Sequence, residues 1–504
     1  MAAGRKADSS TAAANTPNTG KEKSAAASVQ DGAIHETGSS ANLIERDIVM
    51  NIQAETTASI PARLRTRQII QVEERVPLLK GIPLSFQHLF AMFGASVLVP
   101  ILFNQAAGST VVDPALVLLM NGIGTLVYTF ICRGKAPAFL GSSFAFIAPT
   151  ITCITLAKEP ALGYQRALGG FVVAGLIFTA VSFVIRIAGR KWLDVLLPPA
   201  AMGPIVALIG LELAPVATDM AFHQNGKFNA TATLISLFTL AVVVIGSIVF
   251  RGFLGAIPVL IGVLAGYGVA LVVNIWAPGT VAFSSLRGAG VFAVPHFVPP
   301  VLDWGAILII MPAALVVISE HIGHLFVTSN IVGRDLLKVP GLHNSMLGDG
   351  ISTMISGFCG SCPTTTYGEN IGVMAITGVY SVWVVAGAGV ISIIIAFFGH
   401  VSAAIRTIPT PVIGGVSMML FGVIAASGLR MLIEAKVDYS KSRNLLLSAI
   451  VFVVGISGVA VKIGQTQVRG MVLATIVGMI LSLFFYLLEK SGCSAEEAAF
   501  AEVE

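Results

Sequence analysis

Two acidic side chains, Glu320 and Glu369, stand in sequence that otherwise reads as membrane interior. The first closes the run Pro312-Ala-Ala-Leu-Val-Val-Ile-Ser-Glu320-His-Ile-Gly-His324, and the second follows Gly360-Ser-Cys-Pro-Thr-Thr-Thr-Tyr-Gly368. An ionisable group at bilayer depth is costly unless it faces a partner, a cavity or a substrate, so each acid marks a candidate site. On a helix Glu320 and His324, four apart, share a face, while His321 points elsewhere. A carboxylate one turn from an imidazole can take up and release a proton near neutrality. The plainer reading is a self-neutralising pair that only joins helices, but two acids and an imidazole exceed what joining needs. Glu212, in Ile209-Gly-Leu-Glu212-Leu, reads as structural near a helix end, and His88 divides evenly between helix contact and site lining.

The elements that must carry these groups are membrane spans. The 504 residues are 55% hydrophobic and 11% charged, with mean hydropathy +0.87, against about 25% charged residues in soluble domains. Apolar runs such as 234–250, 254–275, 306–318, 381–398 and 445–461 recur along the chain; at roughly 20 residues per span they predict about 12–14 helices in one polytopic bundle. Basic residues cluster before the first span, Arg63 to Lys80, and then after every second one: Arg133 and Lys135, Arg186 to Lys191, Arg251, Arg334 and Lys338, then Arg430 to Arg443. That alternation predicts two cytoplasmic termini and an even number of spans, with Arg166, Arg287, Lys462 and Arg469 as exceptions. Residues 1–76 have the composition of a disordered cytoplasmic tail. They lack an apolar signal core, and Asp8, Glu22, Asp31 and Glu36 weigh against an organellar transit peptide. Residues 491–504 read as a solvated cytoplasmic tail.

Two segments are broken rather than continuously apolar: 137–149, with Gly141, Ser142, Ser143 and Phe144, and 357–369, with Gly360, Pro363, Tyr367 and Gly368. Paired interrupted segments at corresponding positions of two halves point to a transporter's binding site, because irregular backbone at membrane depth needs protein or a wet cavity around it. Ordinary Gly/Pro kinks are the alternative. Carboxylates accept N–H bonds, free backbone N–H groups donate to carbonyls, and Phe144 and Tyr367 offer flat faces. The set suits a small planar solute carrying both N–H and C=O. No Walker motif supports ATP drive, which leaves secondary transport coupled to an ion. Cys359-Gly-Ser-Cys362 has redox or zinc spacing but no second ligand pair, so close packing of small residues is the expectation and no metal site is assigned.

With those residues in hand, the chain resembles the nucleobase–ascorbate transporter family. Glu369-Asn370-Ile-Gly372-Val-Met-Ala-Ile-Thr377-Gly378 matches its signature. Gln87-His88 matches the paired polar residues of the first span, and Ser319-Glu320-His-Ile-Gly-His324 with 330–343 matches the eighth-span region. The resemblance implies an all-α membrane protein of fourteen spans in a seven-plus-seven inverted repeat, with short strands breaking spans three and ten. It implies a core domain at 77–194 and 303–406 and a gate domain at 195–302 and 407–490. Carried over by motif, Glu320 and Glu369 would bond a pyrimidine ring, and the backbone N–H groups of Phe144 and Gly368 would meet its carbonyls. Ala95, Ser143 and Tyr367 would line the pocket. Glu320, His324 and Glu369 would handle the coupling proton, with Gln87, His88, Asn370 and Phe421 in support. The implied activity is proton-coupled uracil import by alternating access, since Glu rather than Gln opens the signature. A xanthine or broader nucleobase symporter, an anion exchanger on the same plan and a cysteine redox enzyme are the alternatives. The resemblance further implies a homodimer in the cell membrane, with no cofactor beyond the proton and no nucleic-acid partner. Gly378 stands where related permeases carry Arg, and Phe421 where they carry Tyr.

Overall fold

In lipid a backbone must satisfy its own hydrogen bonds, which turns long apolar runs into helices. The computed structural model describes residues 69–491, apart from 225, 464 and 465. In chain order the elements begin with α1 (Leu78–Ala107), α2 (Pro114–Ile131), strand β1 (Leu140–Ser142), a helical turn at Phe144–Phe146, α3 (Ile147–Leu156), α4 (Pro160–Ala188) and the short α5 (Lys191–Leu196). There follow α6 (Pro199–Phe222), a small hairpin of β2 (His223–Gln224) and β3 (Lys227–Phe228), α7 (Ala230–Val249), α8 (Pro258–Trp276) and the single-turn α9 (Ser284–Arg287). The remainder comprises α10 (Trp304–Val332), α11 (Leu342–Cys359), β4 (Thr364–Thr366), α12 (Gly368–Thr377), α13 (Val382–Ala396), α14 (Gly399–Arg406), α15 (Thr410–Glu434), α16 (Ser442–Ile456), the hairpin β5 (Ala460–Ile463) and β6 (Thr466–Arg469), and α17 (Gly470–Lys490). Among the described residues nine helices are long and apolar enough to cross a membrane, and three shorter apolar segments, Phe144–Leu156, Val382–Ala396 and Ser442–Ile456, accompany them. Large apolar side chains such as Leu234, Ile248, Leu264, Ile275 and Phe484 stay exposed on these helices, as a lipid-facing surface requires.

Close backbone contact ties particular helices together. Helices α4 and α11 pack along their lengths, where a side chain on Gly175 would run into the Gly350 carbonyl. Helices α6 and α15 do the same, with Gly210 lying under the Phe421 carbonyl and Gly428 against Gly203 and Ala207. Small residues at such crossings give van der Waals contact without a hydrophobic driving force. Around the first pair gather α1, α2, α3, α10 and α13; around the second gather α7, α8, α16 and α17.

Residues 69–76 belong, on composition, to the N-terminal tail, yet here they are docked. Ile70 donates to the Gly378 carbonyl (3.0 Å) and accepts from Tyr380 N–H (2.8 Å), and Val72 accepts from Val382 N–H (2.9 Å). The Ser381 hydroxyl reaches the Glu74 carbonyl (2.6 Å), Glu73 pairs with Arg334 (2.6 Å), and Val72 is fully buried. Local composition gives no hint of this, because the pairing is with a turn some three hundred residues away. Residues 1–68, and all of the C-terminal tail beyond Ser491, lie outside the described residues.

Of the basic exceptions to the charge alternation, Arg166 approaches Asp303 (3.8 Å), and Asp303 in turn caps α10 by accepting the Ala306 N–H (2.9 Å). The loop between α1 and α2 carries a tighter knot: Asp113 caps α2 through Ala115 N–H (3.1 Å) and accepts from Ser402 Oγ (2.7 Å) and Arg406 Nη2 (3.0 Å).

Candidate functional site

Strands β1 and β4 are the point where the site is built. They pair antiparallel, Leu140 opposite Thr366, Gly141 opposite Thr365 and Ser142 opposite Thr364, and all six residues are buried. Ser143 N–H donating to Pro363 (2.8 Å) and Tyr367 N–H donating to Phe139 (3.0 Å) extend the ladder at both ends. Three residues of pairing at this depth need outside support, and Thr125 Oγ1 supplies it by accepting the Leu140 N–H (2.9 Å). Each strand runs straight into a helix start, the turn at Phe144 and helix α12 at Gly368. First-turn N–H groups of a helix have no intrahelical acceptor, so two sets of donors converge beside the strand crossing.

Tyr367 is held in place from three directions. Its hydroxyl donates to the Ser142 carbonyl (2.9 Å) and accepts from Ser96 Oγ (3.2 Å), which Asn121 supports in turn (3.0 Å). Its ring lies flat over Gly141, where any side chain would strike three ring atoms. The Phe144 ring faces it at 6.4 Å between centroids, inclined by only 18°. Phe421, from α15, closes edge-on against Phe144 at 6.0 Å and 83°.

Helix α10 presents the ionisable groups to this crevice. Glu320 is 7% exposed, close to Thr365 and within electrostatic reach of Asp349 and Glu369. Its Oε2 has no hydrogen-bond partner, and neither has Ser143 Oγ, Thr365 Oγ1 or Asn370 Oδ1. Buried orphan atoms are rare in native structures, and those of Glu320, Ser143 and Thr365, along the paired strands and on the helix beside them, describe a polar binding surface. His324 shares the crevice: its Nδ1 meets Thr366 Oγ1 (3.1 Å) and its Nε2 lies beside Gly368. Glu369, half-buried in the first turn of α12, sits where an anion is favoured by the helix dipole. Asn370 points the other way and binds His88 on α1 through both the ring Nδ1 (3.1 Å) and the carbonyl (3.0 Å). That contact makes His88 a helix tie, with Gln87 buried next to it. Ala95, fully buried, precedes the Ser96 that steadies Tyr367.

The reading from sequence thus names Glu320, Glu369, His324, Ser143, Phe144, Tyr367 and Gly368, and the structure brings them together. It misses Ser96 and Thr125, which hold Tyr367 and strand β1, Thr365 and Thr366, whose hydroxyls are respectively unpartnered and bonded to His324, and a fully buried quartet behind α10. There His321 Nδ1 meets Asp349 Oδ2 (3.0 Å), His321 Nε2 meets Ser345 Oγ (2.7 Å), and Ser345 Oγ meets Tyr128 Oη (2.7 Å). Asp349, between Gly348 and Gly350, carried the same signal as Glu320, an acid inside a membrane helix. Glu212 lies apart from the crevice, accepting the Met471 N–H at the start of α17 (2.9 Å). It lines a cavity of about 680 Å³ together with Thr152, Thr155 and Arg469. A smaller cavity of about 180 Å³, lined by Ile322, Gly323, Phe326, Met202 and Met431, borders α10 on the far side. Cys359 and Cys362 are free thiols.

A bundle of apolar, lipid-exposed helices around a buried crevice of carboxylates, orphan polar atoms and helix starts defines a multi-pass membrane transport protein. The model of the Permease family matches residues 79–464, and the chain belongs to that family, the nucleobase–ascorbate transporters. It is 56% identical over 426 residues to the uracil permease of Escherichia coli (strain K12), covering 84% of this chain and 95% of that one. It is 45% identical over 414 residues to the uracil permease of Bacillus subtilis (strain 168), covering 79% and 91%. Among solved structures, the transmembrane domain of the cyanobacterial bicarbonate transporter BicA aligns with a TM-score of 0.56 at 14% identity, over 82% of this chain and all of that one. The inward-facing murine Slc26a9 anion transporter aligns at 0.58 and 13%, over 81% and 68%. At these identities the two structures speak for the fold alone.

Proposed function

We propose that this protein is a proton-coupled uracil symporter that works by alternating access. What supports the reading is the pair of acids, Glu320 and Glu369, near the paired strands whose ends carry the near-parallel rings of Phe144 and Tyr367, in a chain whose relatives at 45–56% identity are uracil permeases. Uracil is flat and carries N–H and C=O groups alternately. The carboxylates of Glu320 and Glu369 would accept its N–H groups, and the N–H groups of Phe144 and Gly368 would donate to its carbonyls, with Ser143 and Ala95 at the edges. Leaving those carboxylates unpaired is what makes analogues without the N–H groups poor competitors.

In this reading α11 and α12 join the twelve apolar segments to make fourteen spans in a seven-plus-seven inverted repeat, β1 and β4 interrupt spans three and ten, and both termini are cytoplasmic. The helices around α4 and α11 form the core domain, those around α6 and α15 the gate, and the protein pairs as a homodimer. Protonation of Glu320 from outside favours substrate binding, and proton loss inside weakens it. Binding of proton and uracil to one shared state is sufficient for coupling, and the effect of each on the other is reciprocal. His324 assists the transfer.

The test is labelled uracil uptake into proteoliposomes under an imposed pH gradient, competed by xanthine and other nucleobases. Glu320→Gln is expected to abolish accumulation against a gradient while leaving a folded protein. Uphill uptake by that variant would refute the coupling role, and preferential competition by xanthine would refute the substrate.

A further inference from the structure

Helices α3 and α10, which lead into the candidate site, line open space further along their length. The cavity of about 680 Å³ beside Glu212 adjoins another of about 310 Å³, and the two share Ala148, Thr152, Thr155, Glu212 and Arg469. Residues 148, 152 and 155 occupy one face of α3, the helix that follows the turn at Phe144–Phe146. Exposure rises along that face: Phe144 is buried, Ala148 and Thr152 are half-buried, and Thr155 is exposed. Ile309 of α10 lines the smaller cavity and shares a helix face with Glu320, about three turns away. The opposite wall belongs to the second group of helices, through Glu212 on α6 and Met471 on α17. The two cavities thus form one trough between the helix groups, descending toward the crevice.

The trough has its own chemistry. Glu212 Oε2 accepts the Met471 N–H (2.9 Å), and the carboxylate lies where a side chain on Gly470 would stand. A carboxylate offers about four lone-pair directions, so acceptor capacity remains beyond the one in use. The hydroxyls of Thr152 and Thr155 donate within α3, to the carbonyls of Ala148 and Ile151 (2.9 Å each), and so can offer a solute only lone pairs. Arg469 supplies N–H donors. Among the described residues, Glu212 and Arg469 are the only charged groups lining the trough. An anion would meet Glu212 already seated on the start of α17, and a cation would meet Arg469. What fits is an uncharged solute with N–H and C=O on one rigid frame.

We propose that the trough is a second nucleobase site, filled on the way to the crevice, in which Glu212 accepts a ring N–H and Arg469 donates to a ring carbonyl. The inference rests on the nucleobase reading of the crevice. Glu212 is half-buried and Arg469 exposed, so water competes for both, and the trough binds more weakly than the crevice and lets the solute move on.

The test uses full-length protein in proteoliposomes with Thr155→Cys, which sets a thiol at the exposed end of the trough. Alkylation by a maleimide is followed over a range of uracil concentrations and read at residue 155 by mass spectrometry, apart from the native cysteines. Glu369→Ala is then added to remove binding in the crevice. Uracil is expected to protect residue 155 in both backgrounds. Glu212→Gln keeps an oxygen for the Met471 N–H but replaces the remaining acceptor with a donor, and should shift protection to about tenfold higher uracil. Arg469→Gln should do the same. Absence of protection in the Glu369→Ala background overturns the proposal, as does protection that Glu212→Gln and Arg469→Gln both leave unmoved. If Glu212→Gln fails to fold, Arg469→Gln, at an exposed position, decides alone. Failure of the nucleobase reading itself looks different, because wild-type protein would then take up no labelled uracil, whereas failure of the trough alone leaves uptake intact.

Discussion

Gly141→Ala tests the site's construction with a single methyl group. The added carbon would meet three atoms of the Tyr367 ring, and neither side can yield freely. Strand β1 is fixed by its pairing with β4 and by Thr125, and Tyr367 is pinned by hydrogen bonds to Ser142 and Ser96. Overpacking a tight contact costs about 1–3 kcal/mol. If the ring swings aside instead, it forfeits two hydrogen bonds worth about 0.5–1.5 kcal/mol each. Either route comes to roughly 1–3 kcal/mol, and displacement of the ring that faces Phe144 passes that cost to the substrate as about a fivefold to hundredfold loss in affinity. The measurements are the uracil KM in proteoliposomes and thermal unfolding in detergent, with Tyr367→Ala as the partner of a double-mutant cycle. The double variant should be no less stable than Tyr367→Ala alone, because the clash disappears with the ring. A Gly141→Ala protein with wild-type KM and wild-type melting temperature would refute the reasoning.

Three further outcomes follow from other contacts. Burial pushes the Asp113 carboxyl up, but the Ser402 hydroxyl, the Ala115 N–H and Arg406 outweigh it and hold the group below its ordinary value of 3.8. A depressed carboxylate stabilises the fold above its unfolded pKa and loses that contribution as pH falls through the lower folded value. Thermal unfolding followed down the acid range should therefore show Asp113→Asn less stable than wild type at neutral pH and less steeply dependent on acid. Phe421→Ala removes an edge-to-face contact worth about 0.5–1.5 kcal/mol beyond its buried area, so both uptake and melting temperature should drop, whereas Phe421→Tyr should preserve uptake. Arg334→Ala should change the melting temperature little, since its pair with Glu73 is half exposed and such pairs contribute at most about 1 kcal/mol.

Much of the site could be read from the chain because its signals are local. An acid in an apolar helix, as at Glu320, is visible within a single turn. The breaks at 137–149 and 357–369 announce irregular backbone through Gly, Pro and Ser close together, and β1 and β4 lie inside them. What could not be read depends on partners distant in sequence. Ser96 and Thr125 are ordinary hydroxyl residues until the strands come to rest against them. The same holds for His321, whose direction away from His324 follows from helical spacing but whose carboxylate lies on another helix. Residues 69–76 look unstructured for the same reason, since what orders them is the turn after α12.

The glycine crossings of α4 with α11 and of α6 with α15 bear on how such a protein can move. Where main chain rests on main chain, as at Gly175 on Gly350 or Gly210 beneath the Phe421 carbonyl, sliding by a fraction of a helical turn drives atoms into each other, so each pair behaves as a stiff plank. Between the planks the meeting is of flexible tips: Phe421 on Phe144, and Met431 filling the space over Gly323. Rotamer changes there cost little next to backbone repacking. If the two groups act as core and gate, as proposed, the molecule's compliance is concentrated along the seam between them, and that seam passes through the rings of Phe144 and Phe421.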